Sequence, residues 1–144
     1  MNKIFVSLIA ISSCLVSQYS IADIGDECWV VSNLRGYSAF ADNKYKFETN
    51  GLTNRIVVCF GVKSGTVSGT DIQFVKFGKS TLAGYGGNDQ GNEMFEVYQL
   101  DRANMKMLYT KTRVGTKTIT PLLSDTTSSF VGNARKLNEK IKQQ

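Results

Sequence analysis

The sequence predicts a mainly β fold: a small antiparallel barrel or sandwich of about seven to nine short strands, ending in a C-terminal helix. Three observations carry this expectation. Short runs rich in β-branched and aromatic residues alternate with polar ones at a period of two. Clusters of Gly, Asn, Asp and Ser separate those runs at fairly even intervals. Only the C-terminal stretch shifts to helical spacing, with Phe130, Val131, Ala134, Leu137 and Ile141 forming one stripe.

In chain order, Glu27–Asn33 reads as a first strand, and Tyr37–Ala41 and Tyr45–Thr49 as a hairpin about the polar turn Asp42-Asn43-Lys44. Asn50-Gly51 reads as a second hairpin turn, because both residues accept positive φ. Arg55–Val62, nearly all apolar, reads as a central strand, and Asp71–Phe77 as another. Ser80–Ala83 is a short strand before a long hairpin loop, Gly84–Gly91. Glu93–Leu100 and Lys106–Val114 pair across Asp101-Arg102-Ala103-Asn104, and Thr116–Thr120 adds a strand that Pro121 stops. The helix is placed at about 126–142, with Lys and Arg toward its C-terminus.

At 144 residues the chain supports one core and shows neither internal repeat nor linker. Residues 1–22 have the order of a secretory signal peptide: Lys3, then an uncharged apolar run from Ile4 to Val16, then Ser20-Ile21-Ala22 before cleavage. The run is too short for a membrane span. The mature domain is therefore 23–144, and losing Lys3 takes the net charge from +5 to +4. Ile11-Ser12-Ser13-Cys14 also fits a lipoprotein cleavage motif, which would anchor the chain through Cys14. Two cysteines remain, Cys28 and Cys59, and in an oxidising compartment they read as one disulfide.

The chain has no histidine, which excludes Ser-His-Asp and Cys-His nucleophile systems and every metal site that needs imidazole. Gly78-Lys79-Ser80-Thr81 is not a phosphate-binding loop: Gln73 stands where the motif needs Gly, and no helix follows. Nor do the scattered acids suggest a paired-carboxylate site, since alternation sends Glu93 and Glu96 to opposite faces. Catalytic residues, metal ligands and cofactors are thus expected to be absent.

Partner-binding candidates fall in two places. Tyr85, Asn88 and Asp89 lie in the Gly84–Gly91 loop, whose Tyr/Asn/Gly composition resembles a paratope; a lone calcium-like match there lacks the stacked repeats it needs. Lys111 and Arg113 share a strand face with Tyr109 and read either as a basic groove for an acidic ligand or as the solvated face of an edge strand. Too few aromatics interleave the basic residues for nucleic-acid binding. The expectation is an exported binding protein of the inhibitor or immunity type, periplasmic or secreted and non-enzymatic. It would meet an acidic or neutral protein or other envelope macromolecule through loops. A small barrel carrying an apolar ligand among Phe74, Phe95, Val97 and Met107 is the alternative, followed by a hydrolase.

Overall fold

The computed structural model describes residues 26–89, 91–115 and 124–137. Nine strands follow in order: β1 (Glu27–Phe40), β2 (Phe47–Leu52), β3 (Ile56–Phe60), β4 (Ser64–Val67), β5 (Phe74–Phe77), β6 (Thr81–Gly87), β7 (Glu93–Asp101), β8 (Lys106–Val114) and β9 (Thr126–Lys136). All but β2 form a closed eight-stranded antiparallel barrel, because β9 returns to pair with β1. β2 is the additional strand. The end where β1 begins is called the lower end below, and the end where β1 finishes the upper.

Closure depends on the length of β1. Its lower part, Glu27–Val31, pairs with β3, and its upper part, Leu34–Ala39, pairs with β2. Its other edge follows β9 throughout, with a register shift between Ser32 and Arg35. Asn33 takes the extra residue at φ 53°, in the left-handed region that asparagine tolerates better than most residues. Three positions on, a Cβ at Gly36 would run into the Ser129 carbonyl, so only glycine lets β1 and β9 approach this closely.

Inside, alternation stacks the side chains in rows. Leu100 and Met107 lie toward the lower end with Trp29, Val31, Val58 and Phe60. Above them Tyr98, Tyr109 and Phe130 sit directly opposite one another across β7, β8 and β9. Tyr98 and Tyr109 stack with centroids 4.5 Å apart, Tyr109 and Phe130 at 5.8 Å, and Phe74 meets Tyr98 edge-on at 5.6 Å. Higher still the inward residues turn polar.

The lower end is sealed by Arg102, from the turn between β7 and β8. Its guanidinium lies 5.7 Å from the Trp29 ring centroid, donates to Glu27 at 2.6 Å, and reaches Ser80 Oγ and the Lys79 carbonyl. The Cys28–Cys59 disulfide is present and bridges residues directly opposite on β1 and β3, on the face away from Trp29, Val58 and Phe60.

The predicted C-terminal helix over about 126–142 is not formed where it is described: 126–136 is strand β9. Thr126, Ser128, Phe130, Gly132 and Ala134 are buried in strict alternation, a period of two that went unread because three of the five are polar or glycine. Asn50-Gly51 is no hairpin turn but lies within β2, where it pairs with Gly36 and Arg35. The Gly84–Gly91 loop is shorter than expected, since β6 runs to Gly87. Gly84 is glycine because a Cβ there would press on Ile72 and Phe74. The signal segment 1–22, Cys14, the Thr116–Thr120 strand and the helix positions beyond Leu137 lie outside the described residues.

The disulfide closes a segment with a sequence separation of 31. For a loop of that size, chain entropy corresponds to roughly 3.5–4 kcal/mol, and measured effects usually fall near 2–4 kcal/mol. Replacing both cysteines by serine is expected to lower unfolding free energy by about 2–4 kcal/mol in a urea titration, with sheet-type circular dichroism retained.

Candidate functional site

Two groups of chemistry-bearing side chains stand out: the polar row in the upper interior, and the outer rim above it. The interior row runs Glu96, Lys111, Ser128, Ser38 around β7, β8, β9 and β1, each opposite the next. Alternation along β7 puts Glu96 on the same face as Tyr98, and along β8 puts Lys111 on the same face as Tyr109.

Glu96 is 4% exposed and accepts three bonds. Tyr98 donates its hydroxyl to Oε2 at 3.0 Å, Tyr109 to Oε1 at 3.1 Å, and Lys111 Nζ lies 2.8 Å from Oε1. Ser38 and Ser128 hydroxyls meet at 2.8 Å, and Asn50 of β2 donates to Ser38 Oγ at 3.0 Å. Burial pushes both tyrosine hydroxyls well above the ordinary phenol range; the negative carboxylate beside them pushes the same way. Tyr98 and Tyr109 therefore remain neutral donors, and Glu96 spends its acceptor capacity inside the barrel. The network is suited to fixing the aromatic row in place, not to moving a proton.

Lys111 and Arg113 thus do not form an outer basic groove or the solvated side of an edge strand. β8 is flanked by β7 and β9, and both side chains sit on the inward face. Lys111 is neutralised by Glu96. Arg113, one step higher, donates from Nη2 to the Ser124 carbonyl at 3.2 Å. Phe95 and Val97, expected in an apolar cavity, face outward, because Glu96 and Tyr98 hold the inward positions of β7; Phe74 and Met107 are inside as expected.

The rim carries the other candidates. Tyr85 lies in the upper part of β6 and pairs directly with Phe95 of β7; they are 60% and 47% exposed. In the turn above, the Asn88 amide donates to the Asn92 carbonyl at 3.0 Å, the Gly91 amide donates to the Asn88 carbonyl at 3.1 Å, and Asn88 Oδ1 accepts from the Asn92 amide at 3.2 Å. Asp89 is exposed at its tip. A cleft of about 100 Å³ opens beside Tyr85 and Phe95, lined also by Glu93, Met94, Thr112, Arg113 and Val114. The structure thus brings Tyr85 and Arg113 to one cleft, while Asn88 and Asp89 lie in the turn above and Lys111 lies inside. Glu96 and Ser38 escaped the sequence reading as site residues, and Phe95 entered it only as a lining residue of an interior cavity. The alternation that groups them was legible, but not which face turned inward.

Compared with known proteins, the chain matches no family model, and no curated protein or solved structure similar to it was found.

Two outcomes follow from the interior network. Lys111→Met leaves Glu96 buried with its tyrosine donors only. Because Lys111 is partly solvated, the expected loss is about 2 kcal/mol, below the ~3–5 kcal/mol of a fully buried pair. The double variant with Glu96→Gln should recover part of it in a urea-unfolding cycle, whereas additive losses would show the pair uncoupled. For pH, both tyrosines titrate higher folded than unfolded, so their contribution is complete below about pH 10 and falls as the unfolded chain begins to release protons. Unfolding free energies from urea titrations should hold to about pH 9 and fall above about pH 10, by up to ~1.4 kcal/mol per tyrosine per pH unit above its unfolded value. Tyr98→Phe and Tyr109→Phe should each flatten that decline.

Proposed function

We propose that this is an exported, non-enzymatic binding protein that meets a macromolecular partner at the upper rim of the barrel, with Tyr85 and Phe95 as anchors. The observation that carries the reading is that directly paired, exposed aromatic couple beside a cleft large enough for one side chain of a partner. Exposed aromatics seldom stand together on a surface that contacts only water, and Tyr in particular dominates binding hot spots. Asn88 and Asp89 in the adjoining turn supply polar edges for such a contact, and Glu93 and Arg113 give the cleft one charge of each sign.

Several features favour surface contact over an interior ligand. Phe74, Leu34, Leu82 and Met107 are fully buried inside the barrel, and the stacked tyrosines and Phe130 occupy its middle. A ligand there would have to displace them. The Cys28–Cys59 bridge is consistent with an oxidising compartment, and among the described residues no helix is long and apolar enough to cross a membrane. A chain of net charge +5 suits an acidic or neutral partner better than a basic one.

The test is affinity capture from a cell-envelope extract, comparing the wild-type protein with Tyr85→Ser/Phe95→Ser. Each side chain is exposed, so the fold should survive and thermal unfolding should change little. Loss of one anchor worth about 2 kcal/mol weakens binding roughly 30-fold, and loss of both by more. Equal retention of the same partner by the two proteins would reject the rim as the contact.

A further inference from the structure

The barrel wall is closed, but β2 stands outside it, with β1 on one side and, among the described residues, no strand on the other. The register shows which of its backbone groups are left over. In an antiparallel strand the N–H and C=O of one residue point to one side, and those of the next residue to the other. The Ala41 amide, just beyond β1, donates to the Asp125 carbonyl at 2.9 Å. At the upper end the odd-numbered residues of β1 therefore turn to β9, and Leu34, Gly36 and Ser38 turn to β2. Their partners are Leu52, Asn50 and Glu48, which leaves Phe47, Thr49 and Gly51 facing the open edge. Among the described residues the one group that answers them is Asn50 Oδ1, which accepts from the Gly51 amide at 2.7 Å.

The side chains along this edge are uneven. Asn50 reaches inward to Ser38, so Phe47, Thr49 and Gly51 share the outer face with Arg35 and Tyr37. Phe47 is 66% exposed. Gly51 is bare, and the Arg35 side chain lies across it: a Cβ there would come within 2.9 Å of a guanidinium nitrogen. A cleft of about 700 Å³ lined by Arg35, Tyr37, Thr49 and Gly51 lies alongside.

We propose that this edge pairs with β2 of a second copy of the chain, antiparallel about Thr49. Unpaired donors and acceptors at strand spacing are matched by another extended chain. In this register each Thr49 meets its copy through backbone bonds, and Phe47 lies opposite Gly51 of the second copy. Its ring fills the place where glycine has no side chain and covers the Arg35 guanidinium, a contact made twice by symmetry. Glu48 falls opposite Asn50, so no charge within the strand meets its like. A foreign strand could satisfy the backbone equally; β2 also brings an aromatic to the position that Gly51 and Arg35 leave open. The contact is one six-residue strand from each copy, so pairing is weak and concentration-dependent.

The experiment is sedimentation equilibrium of the purified disulfide-bonded protein from low micromolar to near-millimolar concentration, joined to amide exchange over the same range. The wild type should rise from the mass of one chain toward two. Exchange at Phe47 and Thr49 should slow about tenfold where about nine chains in ten are paired, while Glu48 and Asn50, already turned to β1, stay unchanged. Thr49→Pro, which removes the donor at the axis, and Phe47→Lys should each stay at one chain with unchanged circular dichroism. A wild type that remains monomeric throughout overturns the proposal, as does growth beyond two copies, a dimer without protection at Phe47 and Thr49, or a Phe47→Lys variant that still pairs. Tyr85→Ser/Phe95→Ser separates this edge from the rim: it should pair as the wild type does while losing partner capture.

Discussion

The seam between β1 and β9 is the constraint on which this molecule rests. β9 has β8 on one side and needs β1 on the other; β1 must serve β9 along one edge while giving the opposite edge first to β3 and then to β2. A strand of fourteen residues cannot stay in register with both neighbours as a barrel curves, and the bulge at Asn33 absorbs the mismatch. Gly36 then allows the backbones to meet without a side chain between them. Without this closure, β9 and β1 would each present an open edge.

What the closed wall encloses is graded along its axis. The lower half is aliphatic, the middle is a ladder of aromatic rings, and the upper half is a network of hydroxyls, one carboxylate and one ammonium. A carboxylate at that depth tolerates burial only because all its bonds are supplied by side chains at fixed registers on two strands. The same bonds orient Tyr98 and Tyr109, so the polar row specifies the geometry of the apolar one beneath it. On the outside, Tyr85 and Phe95 stand exposed at the upper end, above an uncharged stretch of wall.

Much of this was legible in the residues. The β class and single disulfide were, as were the polar turn at Asp42-Asn43-Lys44 and the pairing of Glu93–Leu100 with Lys106–Val114, all from alternation and turn chemistry. The terminal strand was not. Its inward residues pass from Thr and Ser to Phe, Gly and Ala, so no apolar alternation marks the buried face, while Phe130, Val131 and Ala134 mimic a helical stripe. For Lys111 and Arg113 the difficulty was different. Sequence places them on one face, but only the partner strand shows that Glu96 waits opposite Lys111 and makes an inward lysine tolerable. Tyr85 was legible as an exposed residue of the glycine-rich segment; its pairing with Phe95 required knowing that β6 continues through its glycines.

Trp29 is the only tryptophan in the chain, and it lies beneath the Arg102 guanidinium at the lower end. The molecule thereby carries its own optical probe, confined to one place. Loosening of that seal wets the indole and moves its emission to longer wavelength, while events at the opposite rim leave the colour unchanged.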